Sequence, residues 1–132
     1  MTAAVYLDSS AIVKLVFIEA ETSALERFLT AWPIRVSSVV ASIETIRTAR
    51  LVGDPKVVRH AERVLAAIHL LALDGNIVAA ASAVEPRPLR SLDAIHLASA
   101  LSVLDGLAGM VVYDRRLAGA ARKAGLTVWA PA

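Results

Sequence analysis

Short apolar runs alternate with longer amphipathic stretches along this chain, and that alternation is the strongest constraint on its fold. Val5–Leu7, Ile34–Ser37, Leu70–Leu73, Met110–Tyr113 and Thr127–Trp129 read as strands. Between them lie stretches with apolar side chains about one helical turn apart, such as Val39, Ile43 and Ile46. Start and stop signals frame the helices. Ser9 or Ser10 can cap Ala11–Phe17; Thr22–Ala31 ends at Trp32-Pro33; Ser38 can cap a helix that Gly53 stops. Asp54-Pro55 opens a helix to about Ile68, Asp74 can cap Gly75–Val84, Ser91 can cap a helix to about Leu104, and Arg115–Ala124 ends at Gly125. Strand–helix alternation of this kind predicts an α/β fold with a central, mainly parallel sheet covered on both faces.

At 132 residues, with no internal repeat, low-complexity tract or linker, the chain suits one domain over residues 1–132. It has no cysteine, which excludes disulfides, zinc–thiolate sites and thiol nucleophiles. No run approaches the roughly 18 apolar residues of a membrane span. The N-terminus lacks the basic start and apolar core of a signal peptide, so no membrane association and a cytoplasmic location are expected. The apolar share is 57%, above the usual value of roughly 45–50%. Some apolar surface should therefore stay exposed, which points to a homodimer, a protein partner, or both. The net charge of +2 permits a nucleic-acid partner without demanding one.

Four acids stand out against this frame. Asp8 closes the apolar run Val5-Tyr6-Leu7, and Asp114 closes Met110-Val111-Val112-Tyr113. In an open α/β sheet, ligands bind at the carboxyl ends of parallel strands, where both would lie. Glu44 has Ile43 beside it and Ile46 close by, and Asp93 sits among Leu92, Ile95, Leu97 and Ala98. Each acid alone has a plain structural explanation: Asp8 and Asp114 as helix caps, Asp93 as a first-turn charge, Glu44 as a solvent-facing partner of Arg47. Together, acids bordering apolar structure suggest a shared counter-ion, because an unpaired charge there is penalised. Oxygen-only ligands select hard cations, Mg²⁺ or Mn²⁺.

The segments Tyr6-Leu7-Asp8-Ser9-Ser10-Ala11, Glu44 in its helix, Ser91-Leu92-Asp93-Ala94-Ile95-His96-Leu97-Ala98 and Val112-Tyr113-Asp114-Arg115-Arg116-Leu117 resemble the PIN-domain family, and more narrowly the VapC-type toxins of bacterial toxin–antitoxin pairs. The likeness spans nearly the whole chain in order and spacing. It implies a three-layer α/β/α fold, Mg²⁺- or Mn²⁺-dependent endoribonuclease activity, a homodimer, and a cognate antitoxin that blocks the site. Carried over by position, the family's catalytic acids fall on Asp8, Glu44, Asp93 and Asp114. Many relatives have a further acid soon after the fourth; Arg115 and Arg116 stand there in this chain.

On that reading Asp8 and Asp93 hold the cation, while Glu44 and Asp114 order outer waters. Ser10 is expected to donate to Asp8 or to a substrate phosphate, or else to cap its helix. Arg115 and Arg116 are candidates to grip RNA phosphates, with a solvated helix start as the alternative. His96 is expected to be a packed structural residue. Two other classes remain open: a different metal-dependent phosphate-ester hydrolase, and a non-catalytic protein-interaction module. A receiver-like phosphoacceptor is disfavoured because no lysine sits near Asp114, and an aspartyl phosphatase because Asp8 is followed by two serines.

Overall fold

The computed structural model describes residues 3–132. Five strands, β1 (Ala4–Leu7), β2 (Arg35–Ser38), β3 (His69–Leu71), β4 (Leu107–Val111) and β5 (Val128–Trp129), form one parallel sheet in the order β3-β2-β1-β4-β5. Seven helices surround it: α1 (Ser9–Val16), α2 (Thr22–Leu29), α3 (Val39–Arg50), α4 (Pro55–Ala66), α5 (Gly75–Ala83), α6 (Ser91–Ser102) and α7 (Arg115–Lys123). From β1 the chain builds outward to β2 and β3, then crosses back to lay β4 on the other side of β1. The strand order therefore reverses between β1 and β4, and their carboxyl ends bound the crevice where this class of sheet binds ligands.

Side chains alternate across the sheet with the strand period of two. Tyr6, Val36, Met110 and Val112 pack with Leu97 and Ala100 of α6 and Leu117 and Ala121 of α7. Val5, Leu7 and Val111 point the other way, against Ala11 and Ile12 of α1, Leu25 and Leu29 of α2, Ala41 of α3 and Leu65 of α4. These two cores make the three layers expected from the alternation. Ile18, Ile43, Leu51 and Val52 remain exposed, Ile18 and Leu51 almost completely.

Most helix starts follow the expected chemistry. Ser38, Asp54 and Asp74 each accept a hydrogen bond from a first-turn N–H. Of the candidates for the α1 cap, Asp8 and not Ser9 or Ser10 takes the position, since the helix begins directly at the end of β1. Arg90, rather than Ser91, occupies the cap position of α6, with no side-chain cap bond; the first-turn charge of Asp93 favours that end instead.

Strand limits shift as well. β3 is a three-residue edge strand at His69–Leu71, one residue upstream of the expected run, and β4 begins at Leu107 rather than Met110. Glycine weakens a strand pattern, which hides this early start. Here Gly109 serves a close approach: an added Cβ would lie 2.6 Å from the Thr127 carbonyl oxygen and 2.6 Å from the Trp129 ring. The missing side chain lets β5 dock, and the Thr127 and Trp129 carbonyls then accept from Met110 and Val112 N–H at 2.8 and 3.0 Å. Among the described residues, no helix is long and apolar enough to cross a membrane.

Candidate active site

Asp8 follows β1 without a spacer, and its N–H still reaches the Val111 carbonyl across the sheet at 3.3 Å. Asp8 is 4% exposed. Oδ1 accepts from Ala11 N–H at 3.2 Å and from the Ser10 hydroxyl at 2.6 Å. Ser10 Oγ in turn accepts from Tyr113 N–H at 3.0 Å. One serine thus ties the ends of β1 and β4 together and fixes the Asp8 rotamer. Oδ2 takes no hydrogen bond among the described residues. Burial pushes the Asp8 carboxyl up to about 6; Ser10, the His96 charge and the helix N–H groups pull the other way without cancelling it.

Glu44 is on α3 and half-buried. Its Oε1 receives the Ser9 hydroxyl at 2.5 Å and lies 3.0 Å from His96 Nε2. Burial raises this carboxyl, but the bonds from His96 and Ser9 and the His96 charge outweigh it, so Glu44 ends below its ordinary value. His96, three residues after Asp93 on α6, is 2% exposed. Its Nδ1 lies 2.7 Å from the Tyr6 hydroxyl, with the rings edge-on at 80°.

Burial holds the Tyr6 phenol well above its usual range, so it stays protonated. His96 Nε2 lies within hydrogen-bonding distance of both Glu44 Oε1 and Ser9 Oγ, the latter 2.9 Å away. Hydrogen bonds run from Tyr6 through His96 to Glu44. His96 is packed, as expected, and its contacts with Tyr6 and Ser9 come from residues far away in the chain. The available signal was Tyr6 itself, because a buried tyrosine hydroxyl needs a partner.

Asp93 is half-buried in the first turn of α6. Burial raises its carboxyl first, and the charges of Asp114 and Glu44 raise it further, against the pull of His96 and Arg90. Asp114 caps α7 through Oδ1, which accepts from Leu117 N–H at 3.0 Å. Arg115 and Arg116 are exposed beside it. The charges of Asp114 and Glu44 act on Asp93, and His96 acts on Asp8, Glu44 and Asp93 alike. The four acids do not form a ready-made shell: among the described residues, no three acidic or histidine side chains are arranged to hold a metal ion. Glu44 is turned onto His96 and Ser9, and one oxygen each of Asp8 and Asp114 is committed to a helix start.

The PIN domain profile matches residues 5–123. The chain belongs to the PIN-domain family. Ribonuclease VapC46 of Mycobacterium tuberculosis is 42% identical over 129 residues, covering 98% of both chains. Ribonuclease VapC47 of the same species is 34% identical over 131 residues, at 96% of each. Two solved structures share the fold: a toxin–antitoxin complex from Klebsiella pneumoniae, with TM-score 0.73 and 20% identity over 98% of each chain, and Mycobacterium tuberculosis VapC20, a sarcin–ricin loop cleaving toxin, with TM-score 0.72 and 17% identity over 94% of this chain and 97% of that one. The PIN-like α/β/α architecture expected from the motifs is the one this chain adopts.

Proposed function

We propose that this PIN-domain protein is a divalent-metal-dependent endoribonuclease, the toxin of a toxin–antitoxin pair acting in the cytoplasm. The observation that carries the reading is Asp8: a buried carboxylate at the strand switch point, pushed up to about 6, with one oxygen left without a protein partner. A protein keeps such a group where a cation or a proton neutralises it. The curated relatives named as VapC ribonucleases, matched over almost their full length, support RNA as the substrate.

The donor set fits Mg²⁺ or Mn²⁺. Every candidate ligand is a carboxylate oxygen, and Mg²⁺ is commonly held by one or two carboxylates, with waters and substrate phosphate completing its shell. Asp8 and Asp93 are the two we assign as ligands. When bound, the ion supplies Lewis acidity, lowering the pKa of water and offsetting charge on the phosphate.

The chain's own groups do the rest. Ser10 holds Asp8 in its rotamer through a 2.6 Å bond, so little reorganisation is needed when charge arrives. Its proton is committed to Asp8, which favours a positioning role over phosphate binding. Glu44, kept ionised by His96 and Ser9, offers its second oxygen as an acceptor for a water proton. Asp114 stands near enough to Asp93 for its charge to raise that carboxyl, and would order the outer waters of a bound ion. Arg115 and Arg116 stand where a second acidic set would be, which supports a single ion and places positive charge for the RNA backbone. The exposed Ile43, Leu51 and Val52 suit a homodimer or antitoxin contact.

Structured RNA incubated with the purified protein, with and without EDTA, tests the reading. Mg²⁺-restored cleavage that is lost in both Asp8→Asn and Asp93→Asn is the expected result. Cleavage unaffected by EDTA, or full activity in either variant, overturns it.

A further inference from the structure

Beside Asp93 a trough of about 520 Å³ runs along α7. One wall is the loop before α6, with Pro86, Pro88 and Arg90; the other is the face of α7 carrying Arg115, Arg116, Gly119 and Lys123. Four cations therefore border it, and none makes a salt bridge among the described residues. Arg90 is near enough to Asp93 to pull its carboxyl down. At 1.5 Å per residue, Arg116 and Lys123 stand roughly 10 Å apart along the helix, so the two do not share a single phosphate.

The floor between these cations is Gly119. It lies at the centre of α7, where glycine is the least favourable residue after proline. Nothing inside the protein asks for it: a Cβ built there meets no atom within 4 Å, and the backbone is not left-handed. A helix face that lacks a side chain without needing the room for its own packing leaves that room to something outside.

We propose that this trough is the subsite for the RNA strand on one side of the scissile phosphate. Arg115 and Arg116 hold the phosphate nearest the acids, Lys123 and Arg90 grip the backbone on either wall, and a ribose crosses over Gly119. Binding is by shape and phosphate, which suits a chain with few aromatic side chains for base stacking. The proposal rests on the ribonuclease reading and adds where the strand lies.

The test uses the full-length protein and a fluorescein-labelled single-stranded oligoribonucleotide in EDTA, so that binding is read without cleavage. Gly119→Met fills the trough while improving helix propensity. It is expected to melt no lower than wild type and to bind about tenfold more weakly. Lys123→Gln and Arg90→Gln should each lower the slope of log affinity against log salt by about 0.7. Unchanged affinity in Gly119→Met together with unchanged slopes overturns the subsite, even if wild type still cleaves RNA in Mg²⁺. If wild type neither binds nor cleaves RNA, the subsite and the ribonuclease reading fail together. If the substitutions weaken polyglutamate binding but not RNA binding, the trough docks acidic protein and the proposal is overturned.

Discussion

His96 Nε2 lies 3.0 Å from Glu44 Oε1, on the same carboxylate oxygen that receives the Ser9 hydroxyl. The two residues come from different helices, α6 and α3, and meet below the acid-lined crevice. Behind His96, the Tyr6 hydroxyl closes the line from the sheet. The orientation of Glu44 on α3 therefore depends on Ser9 of α1 and on His96 of α6, with Tyr6 of β1 behind it.

Removing the imidazole should be costly. His96→Ala removes the imidazole partner of the buried Tyr6 hydroxyl, worth about 1–3 kcal/mol, and opens a cavity besides. Urea denaturation should show the loss. His96→Gln keeps an amide near Glu44 and should recover part of the stability but little of the cleavage rate. A variant as stable and as active as wild type would remove His96 from any role at Glu44.

The buried charge of Asp8 sets a pH dependence. Its folded-state value of about 6 lies above the ordinary 3.8, so the native state binds the extra proton between these values. This contribution to stability is complete below about pH 4 and disappears as pH rises through about 6, a loss on the order of 2–3 kcal/mol. Asp8→Asn keeps a cap oxygen for Ala11 and Ser10 and removes the charge. In EDTA at pH 7 it should therefore be more stable than wild type, with a flatter stability profile from pH 4 to 6, although it no longer cleaves RNA. Calorimetry across that range decides; a less stable Asp8→Asn protein would show that burial does not strain this carboxylate.

Cation binding should relieve the same strain. Mg²⁺ at ten times its dissociation constant should stabilise wild type by about 1.4 kcal/mol, seen as a rise in melting temperature of a few degrees. The rise should vanish in Asp8→Asn and in Asp93→Asn. An equal rise in all three proteins would place the ion elsewhere.

Ser10→Ala breaks the bond to Asp8 and leaves the Tyr113 N–H without its acceptor. A loss of about 1–3 kcal/mol is expected, together with a further rise of the Asp8 carboxyl, since the serine now lowers it. Ser10→Thr retains the hydroxyl and should restore both. Failure of threonine to rescue would mean the site reads the size of residue 10 and not its hydrogen bonds.

Gly109→Ala tests the sheet edge. A methyl 2.6 Å from the Thr127 carbonyl oxygen has backbone on that side and cannot be absorbed by a side-chain rotation. The β4–β5 pairing should separate locally, with a loss of at least about 2 kcal/mol. Hydrogen exchange at Met110 and Val112, which donate to the Thr127 and Trp129 carbonyls, reports it directly; protected amides in the variant would show that the strand has room to move.

The amino-acid sequence by itself determined the layered α/β class, the approximate elements, the motif resemblance and the candidate acids. These are local or periodic properties: Asp8 at the end of an apolar run and Asp54-Pro55 at a helix start are visible to any reader of consecutive residues. Only the tertiary structure decided what each acid is bonded to. Residue 44 meets residues 9 and 96, residue 10 meets residue 113, and residue 109 meets residues 127 and 129, contacts made by strand order rather than by neighbouring sequence. A hydrogen bond is specified within tenths of an ångström, whereas a hydrophobic pattern fixes only which face a side chain turns inward; the first needs the packed fold, and the second can be read from the chain.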